Sequence, residues 1–553
     1  MRTNTLYLKL IGFLLIFSGL SSCLSEGSMQ EIHKKPNILL IVADDLGYAD
    51  LGCYGGDIST HHIDGLAKSG IRFSRFHTAP MCAPSRAMLL SGNDNHIAGM
   101  GLQSRVTEEF GYEGRLTERV ASIPELLKEA GYFTCMAGKW HLGLDSLSNP
   151  HQWGFDRSYA LLDGAGDHYS NRSVLSPGLS NYSEDGNKTS WKEGAYSTDF
   201  YTDKIIEYLE GNEESGLPFF VYAAYTSPHW PLQVEKTYWQ KYRGRYDAGY
   251  DKLKEQRLES LKGAGMIPDD ALLPPNHESV IPWDSLSSEQ QKAEARKMEL
   301  YAGMVDNLDY NVGRLLNHLK ETGAYENTLI VFLSDNGAAY RDFINHKDYV
   351  FLRDFYTDGY EQMGMPNSYI SYGPQWAEAG SSPFRYFKDY ATQGGINTPM
   401  IISGPGVNQK NEIFHSFTSI QDLAPTFYAL AGIAYPDSIH GRKLYPLKGA
   451  SLLPVLEGKA EDIHDEDYVF ALEHNHNAML RKGKWKITSV NKPFDPVNFA
   501  LYDLSRDLGE QKDLKASEPY IYEELLKEWD NFAKEIRLQT PPPRPEGKPL
   551  ITK

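Results

Sequence analysis

The sequence predicts an α/β fold with a large, mostly parallel sheet flanked by helices, followed by a smaller C-terminal α+β part. Two unbroken apolar runs, residues 38–43 and 329–333, each end in acidic or amide residues, and segments with helical patterning such as "SIPELLKEAGY" stand between them. Apolar runs without alternation are typical of strands that are buried on both faces of a parallel sheet. After residue 440, short alternating runs and an amphipathic stretch, "PYIYEELLKEWDNFAKEI", predict antiparallel strands and a helix.

The first 22 residues are predicted to be a lipoprotein signal peptide. The apolar run "LIGFLLIFSGL" follows two basic residues and is too short to span a bilayer, and it ends in "LSSC" at Cys23. That tetrad resembles a bacterial lipobox, in which the cysteine is lipidated; an ordinary cleaved signal peptide is the alternative. We expect an exported protein, in the periplasm or at the cell surface, held to a membrane only through lipid on Cys23, with residues 23–35 as a linker.

The charge balance limits the possible partners. At pH 7 the 553 residues carry a net charge of -18, which opposes binding to nucleic acid or to an anionic membrane surface. The composition, 41% hydrophobic and 23% charged, is that of a globular protein, and the length allows a large core. A small anionic substrate remains possible if positive charge is concentrated in a pocket.

Acidic and amide side chains follow both apolar runs. Asp44 and Asp45 come after the first run, and Asp335 and Asn336 come after the second. Ligands of open α/β sheets bind beyond the carboxyl ends of the strands, so these side chains are expected to be neighbours. Oxygen donors without thiolate or imidazole favour a hard cation, Ca²⁺ before Mg²⁺. The alternative is that each acid only caps a helix or forms a turn.

Once Cys23 is assigned to the anchor, three cysteines remain. Their odd number argues against a disulfide scaffold, although a pair between Cys53 and Cys135 stays open. Cys82 lies in "FHTAPMCAPSRAMLLSG", where the simplest interpretation is a small buried side chain. Pro84 favours the first turn of a helix that ends at Gly92, which would place residue 82 at the amino end, where backbone amides attract anions.

Four further cations stand in loops or at strand ends. Lys139 and His141 occupy alternate positions in "MAGKWHLG" and would project to one side of an extended segment. His229 lies between prolines after the apolar run 219–224, and Lys388 lies in "FRYFKDYATQGG". Taken singly, each is more often a surface lysine or a structural histidine. Together with Arg86 they could supply the positive pocket that an anionic substrate needs.

The stretch "CAPSR" followed by "LLSG" resembles the CxPSR signature of the type I, formylglycine-dependent sulfatases, and the similarity to bacterial arylsulfatases runs from about Pro36 to "LYDLSRDLGEQKDL". The resemblance implies an alkaline-phosphatase-like fold with a C-terminal subdomain on a four-stranded antiparallel sheet. It also implies that a maturation enzyme converts Cys82 to formylglycine (3-oxoalanine), and that the protein is a sulfuric ester hydrolase acting on aryl sulfates or sulfated carbohydrates.

The resemblance assigns roles residue by residue. The implied calcium ligands are Asp44, Asp45, Cys82 in its modified form, Asp335 and Asn336. The implied catalytic residues are Cys82, Arg86, Lys139, His141, His229 and Lys388, of which Lys139, His229 and Lys388 also bind substrate. Gln393 and Asn397 depart from the "EGGxR" element of many members, which affects specificity or local packing more than the chemistry.

The implied reaction has two steps. One hydroxyl of the hydrated aldehyde attacks sulfur, with Asp335 as proton acceptor and with His229 or Lys388 protonating the departing alcohol. His141 then deprotonates the second hydroxyl, and sulfate leaves. Calcium, Arg86 and the two lysines would stabilise the negative charge.

The predicted domains are a catalytic part, 36–440, with a helical insertion at 236–299, a C-terminal subdomain, 441–540, and a Pro-rich tail, 541–553. His96, Asp167 and His168 are candidates for the substrate rim, with ordinary structural roles as the alternative. Two other functions are kept as hypotheses. One is a phosphate or phosphonate monoester hydrolase of the same superfamily, and the other is a non-enzymatic surface protein that binds sulfated glycans.

The lipid anchor can be tested by replacing one residue. Cys23→Ala removes the lipidation site, so the variant is expected in the soluble fraction after cell lysis, whereas the unchanged protein sediments with membranes. Immunoblots of both fractions measure the distribution. Continued membrane retention of the variant would contradict the anchor.

Overall fold

The computed structural model describes residues 35–103 and 107–540. The predicted signal peptide, Cys23, most of the linker and the tail at 541–553 lie outside the described residues. Among the described helices, none combines the length and the apolar character needed to cross a bilayer.

A mixed sheet of eleven strands forms the centre of the fold, with the order β10-β2-β9-β8-β1-β7-β3-β4-β5-β6 and with β11 paired to β2. Its middle is parallel, because β1 pairs in parallel with both β7 and β8, while β9 runs antiparallel to its neighbours. The α/β fold with a large, mostly parallel sheet is therefore confirmed. The strands are β1 (Asn37–Ala43), β2 (Gly70–His77), β3 (Phe133–Lys139), β4 (Arg157–Leu161), β5 (Tyr182–Glu184), β6 (Asn187–Thr189), β7 (Phe219–Ala224), β8 (Thr328–Ser334), β9 (Asn397–Ser403), β10 (Glu412–Phe414) and β11 (Thr418–Ser419).

Strand β1 shows why the apolar run has no alternation. Its residues Leu39 and Ile41 pack into the core on one face of the sheet, and Ile38 and Leu40 pack into the core on the other face. Helices cover both faces, so every position of the strand is buried. The described α-helices are His61–Ser69, Cys82–Ser91, Ile123–Glu129, Ser197–Glu210, Lys236–Trp239, Gly249–Gly263, Ser288–Glu321, Gly373–Ser381, Gln393–Ile396, Leu423–Ala431, Leu453–Leu456 and Pro519–Glu535.

The register of β1 and β8 places their carboxyl ends side by side. Ala43 is paired with Ser334, and the next residue after β8, Asp335, donates its backbone N–H to the carbonyl of Ala43 at 3.2 Å. The backbone N–H of Asp44 bonds the carbonyl of Ser227, in the loop after β7, at 3.1 Å. Three loops that follow parallel strands therefore meet at one edge of the sheet.

The range 236–299, expected to be a helical insertion, contains three helices, and the third begins at a capping box between Ser287 and Gln290 and continues to Glu321, past the expected end. On this helix, Tyr301 donates from its hydroxyl to Asp50 Oδ2 at 2.6 Å. Since Asp50 lies shortly after Asp44 and Asp45, the helix supports the loop that carries these acids.

A separate four-stranded antiparallel sheet lies near the C-terminus, as the sequence predicted. Its strands, in spatial order, are β14 (Val469–His474), β15 (Asn477–Lys482), β16 (Trp485–Ser489) and β17 (Ala500–Asp503), and a short hairpin at Ser438–Ile439 (β12) and Arg442–Lys443 (β13) precedes it. Lys486 on β16 contacts the larger part of the chain, because its Nζ donates to the carbonyl of Ala391 at 2.8 Å, and it also forms a buried ion pair with Glu510 at 2.7 Å. Glu510 also accepts a hydrogen bond from the backbone of Gln393 at 2.7 Å.

The cysteines of the described part, Cys53, Cys82 and Cys135, are all free thiols. The open question of a pair between Cys53 and Cys135 is thereby answered: these two residues do not form a disulfide.

The C-terminal helix, Pro519–Glu535, yields a stability prediction. Trp529 is 1% exposed and packs edge-on against Phe499 and Phe494, with ring centroids 5.0 and 5.4 Å away. Trp529→Ala is expected to lower the free energy of unfolding by about 3–5 kcal/mol, because it leaves a cavity in this core. Tyr520→Ala on the same helix, where the tyrosine is 86% exposed, should change it by less than about 0.5 kcal/mol. Urea titrations followed by circular dichroism compare the two, and equal losses would contradict the packing.

Candidate active site

The acids after β1 and β8 form one buried cluster. The backbone N–H of Asp45 donates to Asp335 Oδ1 at 3.3 Å, and Asn336 Nδ2 donates to Asp45 Oδ1 at 2.6 Å. Asp45 has φ of 69°, a left-handed conformation that is uncommon for a residue other than glycine and turns its side chain into the cluster. Asp44, Asp45, Asp335 and Asn336 are each at most 1% exposed. The structure therefore brings together the four oxygen-bearing residues that the sequence singled out.

Cys82 is the first residue of the helix Cys82–Ser91, and Gly92 ends that helix in a left-handed conformation, as predicted. The Sγ of Cys82 and carboxylate oxygens of Asp44 and Asp335 all lie within 4.8 Å of one another. Lys388 Nζ lies 3.6 Å from the same sulfur. Residue 82 is thus held at a helix N-terminus beside both acidic loops, where backbone amides favour negative charge.

Arg86 lies one turn further along the same helix and faces the same cluster. Its Nε and Nη2 are both 2.8 Å from Asp335 Oδ2, and its Nη1 donates to the carbonyl of Lys139 at 2.8 Å and to the Tyr222 hydroxyl at 3.2 Å. Arg86 and Asp335 are both 0% exposed. The guanidinium therefore holds β8, β3 and β7 together at the site.

Each of the other two carboxylates has its own lysine. Lys139 Nζ donates to Asp44 Oδ2 at 2.7 Å, and Lys388 Nζ donates to Asp45 Oδ1. With the pair of Arg86 and Asp335, the cluster contains three carboxylates and three cations. The protein alone therefore gives the site no surplus of positive charge.

His141 does not follow Lys139 along an extended strand, so the prediction of alternate positions on one strand is wrong. The strand β3 ends at Lys139, and His141 has φ of 59°. Its ring nonetheless lies in the site: burial first, and then the charges of Lys139 and Arg86, hold the pKa of His141 well below its usual value. Neither ring nitrogen has a hydrogen-bond partner among the described residues. A Cβ on Gly164 would lie 2.5 Å from this ring, so the imidazole needs glycine there.

His229 lies in the loop after β7. Its Nδ1 is 2.7 Å from the carbonyl of Trp230, which makes Nδ1 the protonated nitrogen, and its Nε2 lies 3.3 Å from Asp45 Oδ2. Burial is the largest cause that keeps the pKa of His229 well below its usual value. The free Nε2 therefore points at the cluster as a neutral group able to exchange a proton or to bind a cation.

The oxygens of the cluster suit a hard cation. Asp44 Oδ1, Asp45 Oδ2 and Asn336 Oδ1 are buried and have no hydrogen-bond partner within the described residues. Buried polar atoms without partners are costly, and a cation would satisfy all three. Carboxylate and amide oxygens are ligands of Ca²⁺ and Mg²⁺, and His229 lies within reach of Asp44 and Asp45 as a further donor.

The Cys82 thiol is a poor nucleophile as it stands. Burial raises the pKa of the thiol above its usual value and outweighs the opposing effect of Lys139 and Lys388. A protonated thiol neither attacks nor binds a metal well. The geometry thus places residue 82 at the centre of the cluster without making its sulfur reactive.

The rim candidates make other contacts. His96 lies between Asp94 and Glu473, at 3.4 and 3.1 Å, and links the segment after the helix Cys82–Ser91 to β14. The carboxylate of Asp167 accepts hydrogen bonds from the Tyr356 hydroxyl and from the side-chain amide of Gln233.

His168 does not contact the acidic cluster directly, but it contacts the loop that carries His229. Its Nε2 is 3.0 Å from the carbonyl of His229, and its Nδ1 is 2.6 Å from Ser197 Oγ. Sequence reasoning did not find this support, nor the contact of Tyr222 with Arg86, because Tyr222 lies inside an apolar strand with no motif around it.

Two features define the class of this protein: the central sheet is parallel in its middle, and a buried cluster of acids and cations lies beyond the carboxyl ends of its strands. Together they indicate an ester hydrolase with an alkaline-phosphatase-like fold. The sequence model of the Sulfatase family matches residues 36–433, and that of the N-sulphoglucosamine sulphohydrolase C-terminal region matches residues 384–537. The chain belongs to the sulfatase family and is a sulfuric ester hydrolase, which excludes a purely non-enzymatic role.

Relatives of known sequence and structure agree with this assignment. An uncharacterized sulfatase of Schizosaccharomyces pombe is 39% identical over 93% of this chain and 96% of its own length. The arylsulfatase of Klebsiella aerogenes is 37% identical over 80% of this chain and 96% of its own length. The crystal structure of Ps i-CgsB superposes with a TM-score of 0.66 at 27% identity, covering 92% of this chain and 94% of that one.

The pair of Arg86 and Asp335 gives a stability prediction. Arg86→Met leaves a buried carboxylate without its partner and is expected to lower the free energy of unfolding by about 3–5 kcal/mol. The matched control is Arg157→Met, which breaks a partly exposed pair with Asp185 at 2.8 Å and should cost no more than about 1 kcal/mol. Guanidinium titrations of both variants measure the difference. Similar losses would show that Arg86 is not held as a buried ion pair.

Proposed function

We propose that the chain hydrolyses sulfate monoesters of aromatic or sugar alcohols to the alcohol and inorganic sulfate, using formylglycine made from Cys82 and bound Ca²⁺. One observation carries this proposal: residue 82 stands at a helix N-terminus, between two acidic loops and beside Lys388, with a thiol that is itself unreactive. Formylglycine, when hydrated, supplies a hydroxyl nucleophile and a second hydroxyl whose deprotonation releases sulfate.

The site fits a calcium ion held by Asp44, Asp45, Asp335 and Asn336. When bound, Ca²⁺ would supply positive charge for the sulfate oxygens and favour ionisation of an adjacent hydroxyl. The charges of the chain itself support a bound cation, since the three carboxylates cancel the positive charge of Arg86, Lys139 and Lys388.

The cations of the chain then bind and orient the anion. Lys139 Nζ bonds Asp44, Lys388 Nζ bonds Asp45, and His229 Nε2 lies 3.3 Å from Asp45 Oδ2. Fixed donors in a site without bulk water stabilise developing negative charge without reorganising. We assign sulfate binding to Lys139 and Lys388, and to His229 when its Nε2 carries a proton, and we assign to Arg86 the positioning of residue 82 and Asp335.

Proton transfers are assigned from the protonation states. Burial and the neighbouring Asp44 raise the pKa of Asp335, with Arg86 opposing them, so this carboxylate is suited to accept the proton of the attacking hydroxyl. Lys388 protonates the departing alcohol from its Nζ, or His229 does so after its Nε2 has taken up a proton. His141, neutral and with both ring nitrogens unpartnered in the described structure, takes the proton of the second hydroxyl.

The relatives support two substrate classes. The Klebsiella aerogenes relative is named an arylsulfatase, and Ps i-CgsB has also been crystallised in complex with k-i-k-neocarrahexaose, an oligosaccharide. We propose aryl sulfates or sulfated carbohydrates as substrates of this chain. We also propose that a formylglycine-generating maturation enzyme is its partner, and that the protein is exported and lipid-anchored at Cys23.

A phosphatase of the same superfamily is the competing function. Among residues 35–103 and 107–540, the clustered candidate ligands form two groups that share Asp44, and one of the five residues is Cys82, which we propose to be converted to formylglycine. Two-metal phosphoryl transfer requires a second set of ligands about 3.5–4 Å from the first ion. The ligand set therefore favours the sulfatase.

Turnover of nitrophenyl sulfate and of nitrophenyl phosphate by the matured enzyme tests the proposed function. The kcat/KM for the sulfate is expected to exceed that for the phosphate by at least about 100-fold, since one divalent ion and three paired cations suit a monoanion better than a dianion. A preference for the phosphate would overturn the proposal in favour of the competing function.

Calcium binding can be read from thermal unfolding, independently of activity. After EGTA treatment, Ca²⁺ added at about 100 times its Kd is expected to stabilise the protein by about 2.7 kcal/mol and to raise Tm. Asn336→Ala, which removes one unpartnered oxygen, should reduce this shift, whereas Asn345→Ala, at an exposed asparagine, should not. No shift with Ca²⁺ or Mg²⁺ in the unchanged protein would contradict a hard-cation site.

A further inference from the structure

A second polar cavity, of about 480 Å³, lies between the C-terminal sheet and the larger part of the chain. It is lined by β2, by the start of β9 and by β15 and β16, and none of the ten residues assigned to the active site lines it. Its volume is within the range of small-ligand sites. The proposed catalytic function makes no use of it.

Two arginines in this cavity have no anionic partner. Arg75 and Arg481 make no ion pair and no side-chain hydrogen bond with any described residue, although the Arg481 guanidinium carbon lies 4.0 Å above the ring of Phe417. The two lysines beside them are already paired, Lys482 with Asp467 and Glu524, and Lys484 with Asp503. Burial, together with the charge of Arg75, lowers the pKa of Arg481 to about 9. The two arginines are therefore cations without an ion-pair partner among the described residues, although acidic side chains such as Asp462 and Glu466 also line the cavity.

Two buried amides also line the cavity with unused hydrogen-bonding atoms. Gln393 and Asn397 are 2% and 3% exposed, and Gln393 Nε2 and Asn397 Oδ1 have no partner in the described part of the chain. His77 Nε2, at 2.9 Å, occupies the other amide atom of Gln393, and the carbonyl of Ser74 occupies the other atom of Asn397 at 3.3 Å. These are the two residues that depart from the "EGGxR" element. A donor and an acceptor thus remain available beside the arginines.

The shape and walls of the cavity favour a sugar over a bare anion. Phe417, Tyr468 and Trp485 line it, and aromatic rings beside amide and guanidinium groups suit the apolar face and the hydroxyls of a sugar ring. A neighbouring cavity of about 300 Å³ shares Arg75 and Asn397 with it, so the two together offer an elongated space.

The rim limits the charge of the occupant. Asp462, Asp465 and Glu466 line the opening and are exposed, so they would repel a polyanion that lies across it. A chain that is neutral except for one acidic group could pass this rim and reach the arginines.

We propose that this cavity binds a short oligosaccharide through a single sulfate ester or carboxylate group, held by Arg75 and Arg481, with Gln393 and Asn397 bonding its hydroxyls. Guanidinium groups bind such planar or tetrahedral anions with paired hydrogen bonds. The site is separate from the catalytic cluster, and its existence does not depend on the proposed reaction.

Calorimetric titration of the full-length protein carrying Cys82→Ala, which prevents turnover, tests the proposal. The probes are lactose 3′-sulfate and cellobiouronic acid, each with one acidic group, and sodium sulfate and hexaglutamate serve as comparisons. Binding of at least one of the two sugars is expected to weaken 10-fold or more when Arg75→Gln and Arg481→Gln are added, and to be unchanged by Arg243→Gln, at an exposed arginine away from the cavity. Absence of arginine-dependent sugar binding, or tighter binding of sulfate or hexaglutamate than of either sugar, would overturn the proposal.

Thermal unfolding separates a binding role from a structural one. Arg481→Gln removes a half-buried cation that has no ion-pair partner among the described residues, so the unliganded variant is expected to keep its Tm while it loses sugar binding. A Tm lowered by several degrees with sugar binding intact would show that Arg481 only packs against Phe417, and would contradict the proposal. Turnover of nitrophenyl sulfate by Arg481→Gln with Cys82 intact reports on the proposed function separately.

Discussion

The rest of the structure depends on a balance of charge at one edge of the central sheet. Asp44, Asp45 and Asp335 are removed from water, and each is paired with a cation from another part of the chain. Lys139 comes from β3, Lys388 from the segment before β9 and Arg86 from the helix after β2. Breaking any one pair would leave a buried charge alone, which costs several kcal/mol. These ion pairs therefore stabilise the fold together with its apolar core.

This balance is the reason for our proposal that a bound ion and a modified side chain, neither of which the chain encodes, complete the site. Three paired cations cannot attract a sulfate monoester strongly, and a protonated thiol cannot attack one. A divalent ion on the unpartnered oxygens of Asp44, Asp45 and Asn336, and an oxidised side chain at residue 82, would remedy both deficits at the same place. The second cavity differs, because neither Arg75 nor Arg481 forms an ion pair with a carboxylate among the described residues. The two sites thus differ in their ion pairs: the cations of the acidic cluster are paired within the chain, and the two arginines of the second cavity are not.

The sequence predicted the features that depend on short-range patterns. The unbroken apolar runs gave β1 and β8 and their acidic loops, and Pro84 and Gly92 gave the ends of the helix that carries Cys82. It failed at His141, because the left-handed turn after Lys139 follows from packing against Gly164, not from local preference. Nor could it find the cavity at Arg481, since β2 and β15 are about 400 residues apart and only the folded chain brings them together.

The most direct test of the account is to measure the oxidation state of residue 82 and the activity of the same material. Preparations with different extents of maturation would be digested, and the peptide containing position 82 weighed to obtain the fraction that carries an aldehyde in place of the thiol. Turnover of a sulfate ester is expected to rise in proportion to that fraction and to extrapolate to zero when every side chain is still cysteine. Full activity in material whose residue 82 is entirely cysteine would contradict it.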